Sequence, residues 1–499
     1  MNTKRLLILI TFMAVFAMAA RVSMDSDTWW HLATGKLILE SGSIPQTDPF
    51  SHTRTGEPWL GASVGWLMQI TLYTIYTYFG PGGLNILTAL MVTLAFLAVY
   101  HTMYGGPFLR AFVLVFAAVI SGVYWAARPY LMTFLLSALS IKVLEDYRTG
   151  RKDRLWLLPL FMLVWVNCHG GWAYGPILWG LYGLGFGLEW LGQARKPGAL
   201  LPTAFTKEWL MRGFKGPVGR MLMIGLLMVI AICLNPAGPR MLLYPFETVS
   251  IESLQDYIAE WQSPNFHQRN VQPFLWMILL LFAVLNLSEK KLQVTEYLLL
   301  GAFTYLSLTA ARNIAMFALV TPAILTRHAS SLVDRLGQKA GYRGLSDLPP
   351  TRLQKVINWL LFGLLLLVVL VKAASVYPAS MNEEYINKHQ PVGAVAYLNQ
   401  RHPPGEILNS YNWGGYLIWH LPEYPVFADG RTDLYGDAVL GDWFRLVRAE
   451  DGWQAGLQKW SVNLVLLEPS MPLVIELRHD PDWELLYQDD ISVLYGRRP

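Results

Sequence analysis

Apolar runs that approach bilayer length recur along the whole chain and constrain its fold class more than any motif does. They fall at roughly 5–22, 62–79, 84–103, 111–127, 130–144, 155–168, 173–193, 221–234, 272–287, 294–310, 313–326 and 356–376. Several are near the ~20 residues a helix needs to cross hydrocarbon. Inside a bilayer every backbone polar group must be satisfied within the chain, so such runs fold as helices. Composition agrees: of 499 residues 54% are hydrophobic and only 15% charged, with mean hydropathy +0.33, against about 25% charged for a soluble domain. The expected class is an α-helical polytopic membrane protein of about 11–13 transmembrane helices. The shorter runs, ending in Asn, His or Arg, predict helices that stop inside a cavity.

The formal net charge of +4 says less than its distribution. Lys and Arg gather in 148–154, 195–220, 290–291 and 327–355, and cytoplasmic loops collect such residues. Placing these loops inside puts "RP" (128–129), "NCHGG" (167–171), the loop 235–270, "ARN" (311–313) and everything after 377 on the opposite face. Lys4 and Arg5 place the N-terminus inside. The expected location is therefore the plasma (inner) membrane, multi-pass, with a cytoplasmic N-terminus and an extracytoplasmic C-terminal domain. One count conflicts: three apolar runs separate residue 60 from Arg128, where an even number of crossings is required, so one run is re-entrant or the count is off by one. "AMAA" at 17–20 resembles a signal-peptide cleavage site, but the later spans already target the chain, and an uncleaved first helix is expected. Cys168 and Cys233 sit at the ends of apolar runs and imply no disulfide framework.

The chain divides into a first helix (1–22), a first exported loop (23–60), a polytopic body (61–376) and a tail (377–499). The tail alternates: helical "VGAVAYLNQR", strand "EILNS", helix "WGGYLIWHL", strands "YPVFADG" and "VNLVLLE", and a closing pair "WELLYQDD" and "ISVLYGR". That pattern predicts a small exported α/β domain. In the first loop, "DTWWHLATGKLILE" suits a helix lying in the membrane interface with its tryptophans at headgroup depth. The Pro, Gly and Thr of "SIPQTDPFSHTRTGEPW" then predict an ordered loop.

Asp25 and Asp27 are two residues apart, so in an extended segment both carboxylates point the same way. Such a pair can hold a divalent cation such as Mg²⁺ or Mn²⁺, or one member can take a proton from a hydroxyl while the other orients the site. Equally, Asp27 can simply cap the helix that follows. Arg128, Asn167, His169, Glu260 and Arg312 each lie near the same end of an apolar run, and ionisable groups at that depth usually line a cavity. Singly, His169 can be a satisfied core histidine, the arginines can snorkel to headgroups, and Glu260 can pair with one of them. Together they place two cations, a histidine and three acids on one face, and arginine grips phosphate oxygens well.

These residues carry a resemblance. "SDTWWHLATG" resembles the first-loop motif of GT-C superfamily glycosyltransferases, which include the oligosaccharyltransferase catalytic subunits, and Asp27 matches their loop aspartate. The set "DSDTWWHLATGKLILESGSIPQTDPFSHT", "ARPY", "WVNCHGG", "NPAG", "EWQSPNF", "ARNIAMF" and "NWGGYLIW...FADGRTDLYG" is similar to a bacterial branch of polytopic proteins grouped with that superfamily, over nearly the whole chain. The resemblance implies transfer of a sugar from a polyprenyl-phosphate donor to a glycan, lipid or protein acceptor, with inversion, among membrane lipids and with no nucleic-acid partner. It implies Asp27 as general base, Asp25 as its helper or co-ligand of a divalent cation, and Arg128, His169, Arg312 and His31 toward the donor phosphate, with Asn167 and Glu260 as polar cavity walls. Oligosaccharyltransferases carry Trp-Trp-Asp-Tyr-Gly in the tail, whereas here "YNWGGY" has no Asp, which speaks against sequon glycosylation. Trp413, Tyr416, Asp429 and Arg431 are the acceptor-side candidates; Asp429, Arg431 and Asp433 of "DGRTD" can together meet an acceptor or simply close a salt-bridged turn. Competing readings are a polytopic transporter, a non-catalytic envelope-assembly scaffold, and a polymerase or ligase of lipid-linked glycans. Whether Asp27, Arg128 and His169 line one cavity at the membrane surface discriminates among them.

Overall fold

A computed structural model describes residues 1–193, 216–339 and 350–498. The basic stretches 195–220 and 327–355 therefore fall partly outside the described residues. Helices dominate. In chain order they are α1 (Thr3–Ala19), α2 (Ser26–Ser41), α3 (Leu60–Tyr100), α4 (Pro107–Ser121), α5 (Tyr130–Arg148), α6 (Leu157–Trp165), α7 (Tyr174–Gln193) and α8 (Pro217–Cys233). Two short helices, α9 (Tyr244–Val249) and α10 (Glu252–Tyr257), precede α11 (Gln272–Leu287), α12 (Val294–Thr309), α13 (Ile314–Lys339) and α14 (Arg352–Val376). Among the described residues four helices are long and apolar enough to cross a membrane: Leu60–Tyr100, Pro107–Tyr124, Ala311–Gly337 and Arg352–Val376. The rest of the bundle is shorter or interrupted by polar groups.

Residues 60–79 explain the odd crossing count. α3 is broken at Gly80, whose φ of +62° lies in the left-handed region, and Pro81 follows it. The half before the break lies across the end of the bundle that carries the first loop and the tail. Asn235 Nδ2 donates to Ser63 O (2.7 Å), Trp66 Nε1 donates to Asn167 Oδ1 (2.7 Å), and Tyr73 and Tyr76 meet the Trp419 ring edge-on. Beyond the break, Gly82 lies against the backbone of Tyr377, so closely that a Cβ would meet its carbonyl at 2.1 Å. Both ends of 60–79 thus touch the same end of the bundle. Between residue 60 and Arg128, then, only 81–100 and α4 run from one end of the bundle to the other, an even number.

The first loop folds onto this half-helix. Asp25, not Asp27, is the N-cap of α2: its Oδ1 accepts from the N–H groups of Asp27 (3.1 Å) and Thr28 (3.0 Å). α2 is not laid on lipid. It is wedged between residues 60–79 and the tail, with Trp29 2% exposed and packed edge-on against Tyr416. A Cβ at Gly35 would meet the main-chain Gln69 O at 2.2 Å, so the two helices touch backbone to backbone there. Aromatic residues that suit headgroup depth here fill an internal seam.

The tail contributes α15 (Ala379–His389), α16 (Val392–Arg401), β1 (Glu406–Asn409), α17 (Gly414–His420), α18 (Thr432–Val447), α19 (Trp453–Lys459), β2 (Val462–Leu467), α20 (Pro472–Leu477), β3 (Trp483–Gln488) and β4 (Val493–Arg497). Its sheet has the order β1-β2-β4-β3, with β1 and β2 parallel and the other pairs antiparallel. "YPVFADG", expected as a strand, joins no sheet; it is extended and pairs with the first loop instead, His52 N donating to Val426 O (3.1 Å) and Val426 N to Phe50 O (3.0 Å). The junction is locked by Arg431, which is fully buried with Asp48 of the first loop and Asp429 of the tail. The Trp59 ring lies 4.8 Å from its guanidinium.

Two outcomes are expected. In a background with Cys168 and Cys233 replaced by Ser, Glu57→Cys and Tyr78→Cys react with a membrane-impermeant thiol reagent from the same side of sealed vesicles; a full crossing by residues 60–79 would put them on opposite sides. Arg431→Met strands two buried carboxylates and lowers stability by roughly 3–5 kcal/mol, read as a fall in the unfolding midpoint in a single detergent.

Candidate active site

The N-terminus of α2 opens into a cavity of about 940 Å³ at the loop end of the bundle, a size suited to a substantial ligand. Asp27, Arg128 and His169 all line it, as do His31, Glu260 and Arg312. Arg128 stands at the centre of the acids. Its Nη1 lies 3.3 Å from Asp27 Oδ2, its Nη2 2.5 Å from Glu260 Oε1, and its Nε faces Asp25 Oδ2 at 3.5 Å, an ion-pair distance without a hydrogen bond. The segment is pinned from both sides: Thr28 Oγ1 donates to Ala127 O (3.1 Å) and Ala127 N to Ser23 O (2.7 Å). Glu260 is fixed through its backbone, its carbonyl accepting from Arg312 N (2.9 Å).

Asp27 is the carboxylate whose protonation is most altered. Burial, followed by repulsion from Asp25, pushes it up to about 6 despite Arg128, while Oδ1 accepts from Trp30 Nε1 (3.3 Å). Glu260 goes the other way, held below the usual range by Arg128 and Arg312 against the cost of burial. Two neighbouring carboxylates are thus pushed in opposite directions, Glu260 toward the ionised form and Asp27 toward the protonated one.

His169 is neutral, pushed down to about 3 by burial and then by Arg312 and Arg128. Its Nδ1 lies 2.9 Å from the Gly171 N–H that donates to it and 2.8 Å from Thr133 Oγ1. With Nδ1 accepting, the hydrogen resides on Nε2, which makes His169 a neutral donor. His31 is also held neutral by burial, stacked on Trp30 with Gln69 Nε2 3.3 Å from Nδ1. Arg312 differs from Arg128. It has no carboxylate partner within ion-pair distance among the described residues, and its guanidinium lies over Trp261 at 4.3 Å.

Several expected positions lie elsewhere. Asn167 does not line the cavity; its side-chain oxygen accepts from Trp66 and Asn235 and ties α6 and α8 to residues 60–79. Trp413 and Tyr416 are 3% and 4% exposed and pack around α2 and α15, away from the cavity. Asp429 and Arg431 form the buried lock described above, so "DGRTD" is a salt-bridged turn. The tail instead brings Tyr411, Asn412, Gly430 and Asp433 to the cavity wall. Asp433 sits in the first turn of α18, 3.3 Å from the Tyr244 hydroxyl that donates to it, with burial raising it above the ordinary aspartate range. Of the three charged residues of "DGRTD", Asp433 alone lines the cavity, while Asp429 and Arg431 close the turn.

The expected divalent cation between Asp25 and Asp27 meets a guanidinium there. Asp25 Oδ1 is engaged by the start of α2, and the remaining oxygens face different nitrogens of Arg128. Among the described residues no group of three or more His, Cys, Asp or Glu side chains is arranged to hold a metal ion. The residues as placed do not fit that group.

Neither a protein-family model nor a curated protein sequence matches the chain. Solved structures do. The archaeal oligosaccharyltransferase AglB from Archaeoglobus fulgidus, solved with an inhibitory peptide and a dolichol-phosphate, superposes at a TM-score of 0.52 and 12% identity, over 92% of this chain and 69% of that one. The arabinofuranosyltransferase AftD from Mycobacteria superposes at a TM-score of 0.51 and 11% identity, over 100% of this chain and 40% of that one. The chain is a helical membrane protein with the fold of the GT-C glycosyltransferases.

Gly430 packs against the carboxylate: a Cβ there would lie 1.9 Å from Asp27 Oδ1. Gly430→Ala is expected to displace that carboxylate from Trp30 and Arg128 and to lower stability by about 1–3 kcal/mol, read as a fall in the unfolding midpoint in a single detergent; an unchanged midpoint would mean that the tail does not close on Asp27.

Proposed function

We propose that the chain is a membrane glycosyltransferase that moves a sugar from a polyprenyl-phosphate donor to an acceptor hydroxyl at the extracytoplasmic surface. The observation that carries this reading is the pairing, in one cavity, of a carboxylate poised near neutrality with an arginine that makes no ion pair with a carboxylate among the described residues. The first suits a general base, the second a phosphate. The cavity rim supports a lipid-linked substrate. It includes Ile177 at the start of α7 and Tyr305 near the end of α12, both exposed on the flank of the bundle, where a polyprenyl chain would lie. A site gathered at the loop end, rather than at mid-helix, favours surface chemistry over solute passage.

In the reaction, Asp27 accepts the proton of the acceptor hydroxyl as its oxygen bonds to the anomeric carbon. The bond from that carbon to the phosphate oxygen breaks, and the electron pair leaves with polyprenyl phosphate. Attack opposite the leaving group inverts the anomeric centre. Arg312 and the Nε2–H of His169 are positioned to receive the charge that develops on the phosphate. His31 and Glu260 shape the cavity around them. Asp25 holds the start of α2 and so the direction of Asp27. A tail of this kind serves a glycan, lipid or protein acceptor, and the missing aspartate of "YNWGGY" keeps sequon peptides out of the proposal.

The test follows release of free polyprenyl phosphate from a panel of polyprenyl-phosphate sugars by wild type and Asp27→Asn in one detergent. Wild type is expected to release it and the mutant to be at least about 100-fold slower at equal folding. Because the base must be ionised and Asp27 sits at about 6, wild-type turnover should be half-maximal near pH 6, flat above about pH 7, and fall about tenfold per unit well below pH 6. Equal release by both proteins would remove Asp27 from the chemistry.

A further inference from the structure

Three carboxylates, from residues 25, 27 and 260, converge on one guanidinium, and the geometry around it is that of a built site rather than a surface ion pair. Each carboxylate faces a different nitrogen of Arg128, at 3.5, 3.3 and 2.5 Å. The side chain is 16% exposed, and the Tyr130 ring lies 5.8 Å from its centre. All the segments involved are fixed by backbone contacts: α2 through its capping box, residue 128 through Ala127, and residue 260 through its bond with Arg312.

We propose that Arg128 is the resident cation of this acidic site, occupying the place among Asp25, Asp27 and Glu260 that a divalent ion would otherwise take, so that the site works without a bound divalent metal. The oxygens are spread around the width of a planar cation, whereas Mg²⁺ and Ca²⁺ draw theirs to ~2.0–2.6 Å of one centre. A guanidinium also imposes direction: it gives Asp27 a fixed partner on Oδ2 while leaving the carboxylate open to the cavity. Arg128 is then a positioning residue, and the leaving phosphate falls to Arg312. This refines the proposed transferase site but is readable without any transfer reaction.

Removing the guanidinium leaves three acids with no cation between them, two of which line the cavity, which should turn the site into a divalent one. Mn²⁺ binding, followed by the electron paramagnetic resonance signal of free Mn²⁺, is expected to be at least about tenfold tighter in Arg128→Ala than in wild type, at one ion per chain. Mn²⁺ should raise the unfolding midpoint of the variant and not of wild type. Adding Asp27→Asn to Arg128→Ala should abolish that gain. A single Mn²⁺ held by wild type as tightly as by Arg128→Ala would overturn the proposal, as would a wild-type unfolding midpoint that EDTA lowers. Should Arg128→Ala fail to fold, Arg128→Gln carries the same expectation, and wild type alone still decides: one tightly held Mn²⁺ refutes, none supports. All of these are measured without a sugar donor, so failure of the transferase reading would leave the role of Arg128 as resident cation standing or falling on its own.

Discussion

The buried pairing of Arg431 with Asp48 and Asp429 is the constraint on which the site depends. Asp48 belongs to the first loop and the other two to the tail, so the pairing fastens one to the other across more than 380 residues of chain. The Tyr435 hydroxyl donates to Asp429 (2.6 Å) and completes the enclosure. One cation serves two carboxylates there, so burial is tolerated only while Asp48 also accepts from Phe50 N and Ser51 N and Asp429 from Tyr435, which makes the cluster a poor source of stability and a strict selector of geometry. One residue away is Gly430, whose missing side chain lets the tail close directly over Asp27. A looser junction would open the cavity wall that faces the carboxylate.

Much of this was legible from residues. The apolar runs gave the helical membrane class because bilayer physics leaves few alternatives. The gathering of Asp27, Arg128, His169, Glu260 and Arg312 followed from their common position at helix ends. Sequence failed where short-range geometry had to choose between equivalent residues. Of two aspartates, the one preceding Ser26 became the cap, because its Oδ1 reaches two successive N–H groups. In "DGRTD" the alternate positions 429 and 431 turned inward as a matched pair, leaving Asp433 for the cavity. "YPVFADG" reads as a strand by composition, yet its partner lies more than 370 residues earlier in the first loop, a pairing that no local pattern reveals.

Residues 60–79 show the same limit in another form. As a run of hydropathy they read as a span, and by length they would be one. What removes them from that role is a single break at Gly80–Pro81 and the presence of α2, whose small residues let it lie against Gln69. One face of the run, with Ala62, Val64, Met68 and Leu72, is covered by protein in the seam between α2, α17 and the ends of α6 and α8, while Tyr78 and Phe79 at its end stay exposed. Hydropathy measures the cost of meeting water and is silent on whether lipid or another helix does the covering.

The electrostatics of the cavity then follow from how charge was divided. Three acids share two arginines in a site screened from water, and burial first, then the repulsion of Asp25, gives Asp27 its affinity for a proton. Glu260, nearer both cations, stays ionised. Were Arg128 free to leave its carboxylates for an incoming phosphate, Asp27 would lose its direction and its remaining counter-charge together. Were Arg312 paired as Arg128 is, an anion entering the cavity would have to compete for it. Committing one arginine to the acids and leaving the other over an aromatic ring lets the same small space hold a base and receive a phosphate, two demands that a single cation could not meet at once.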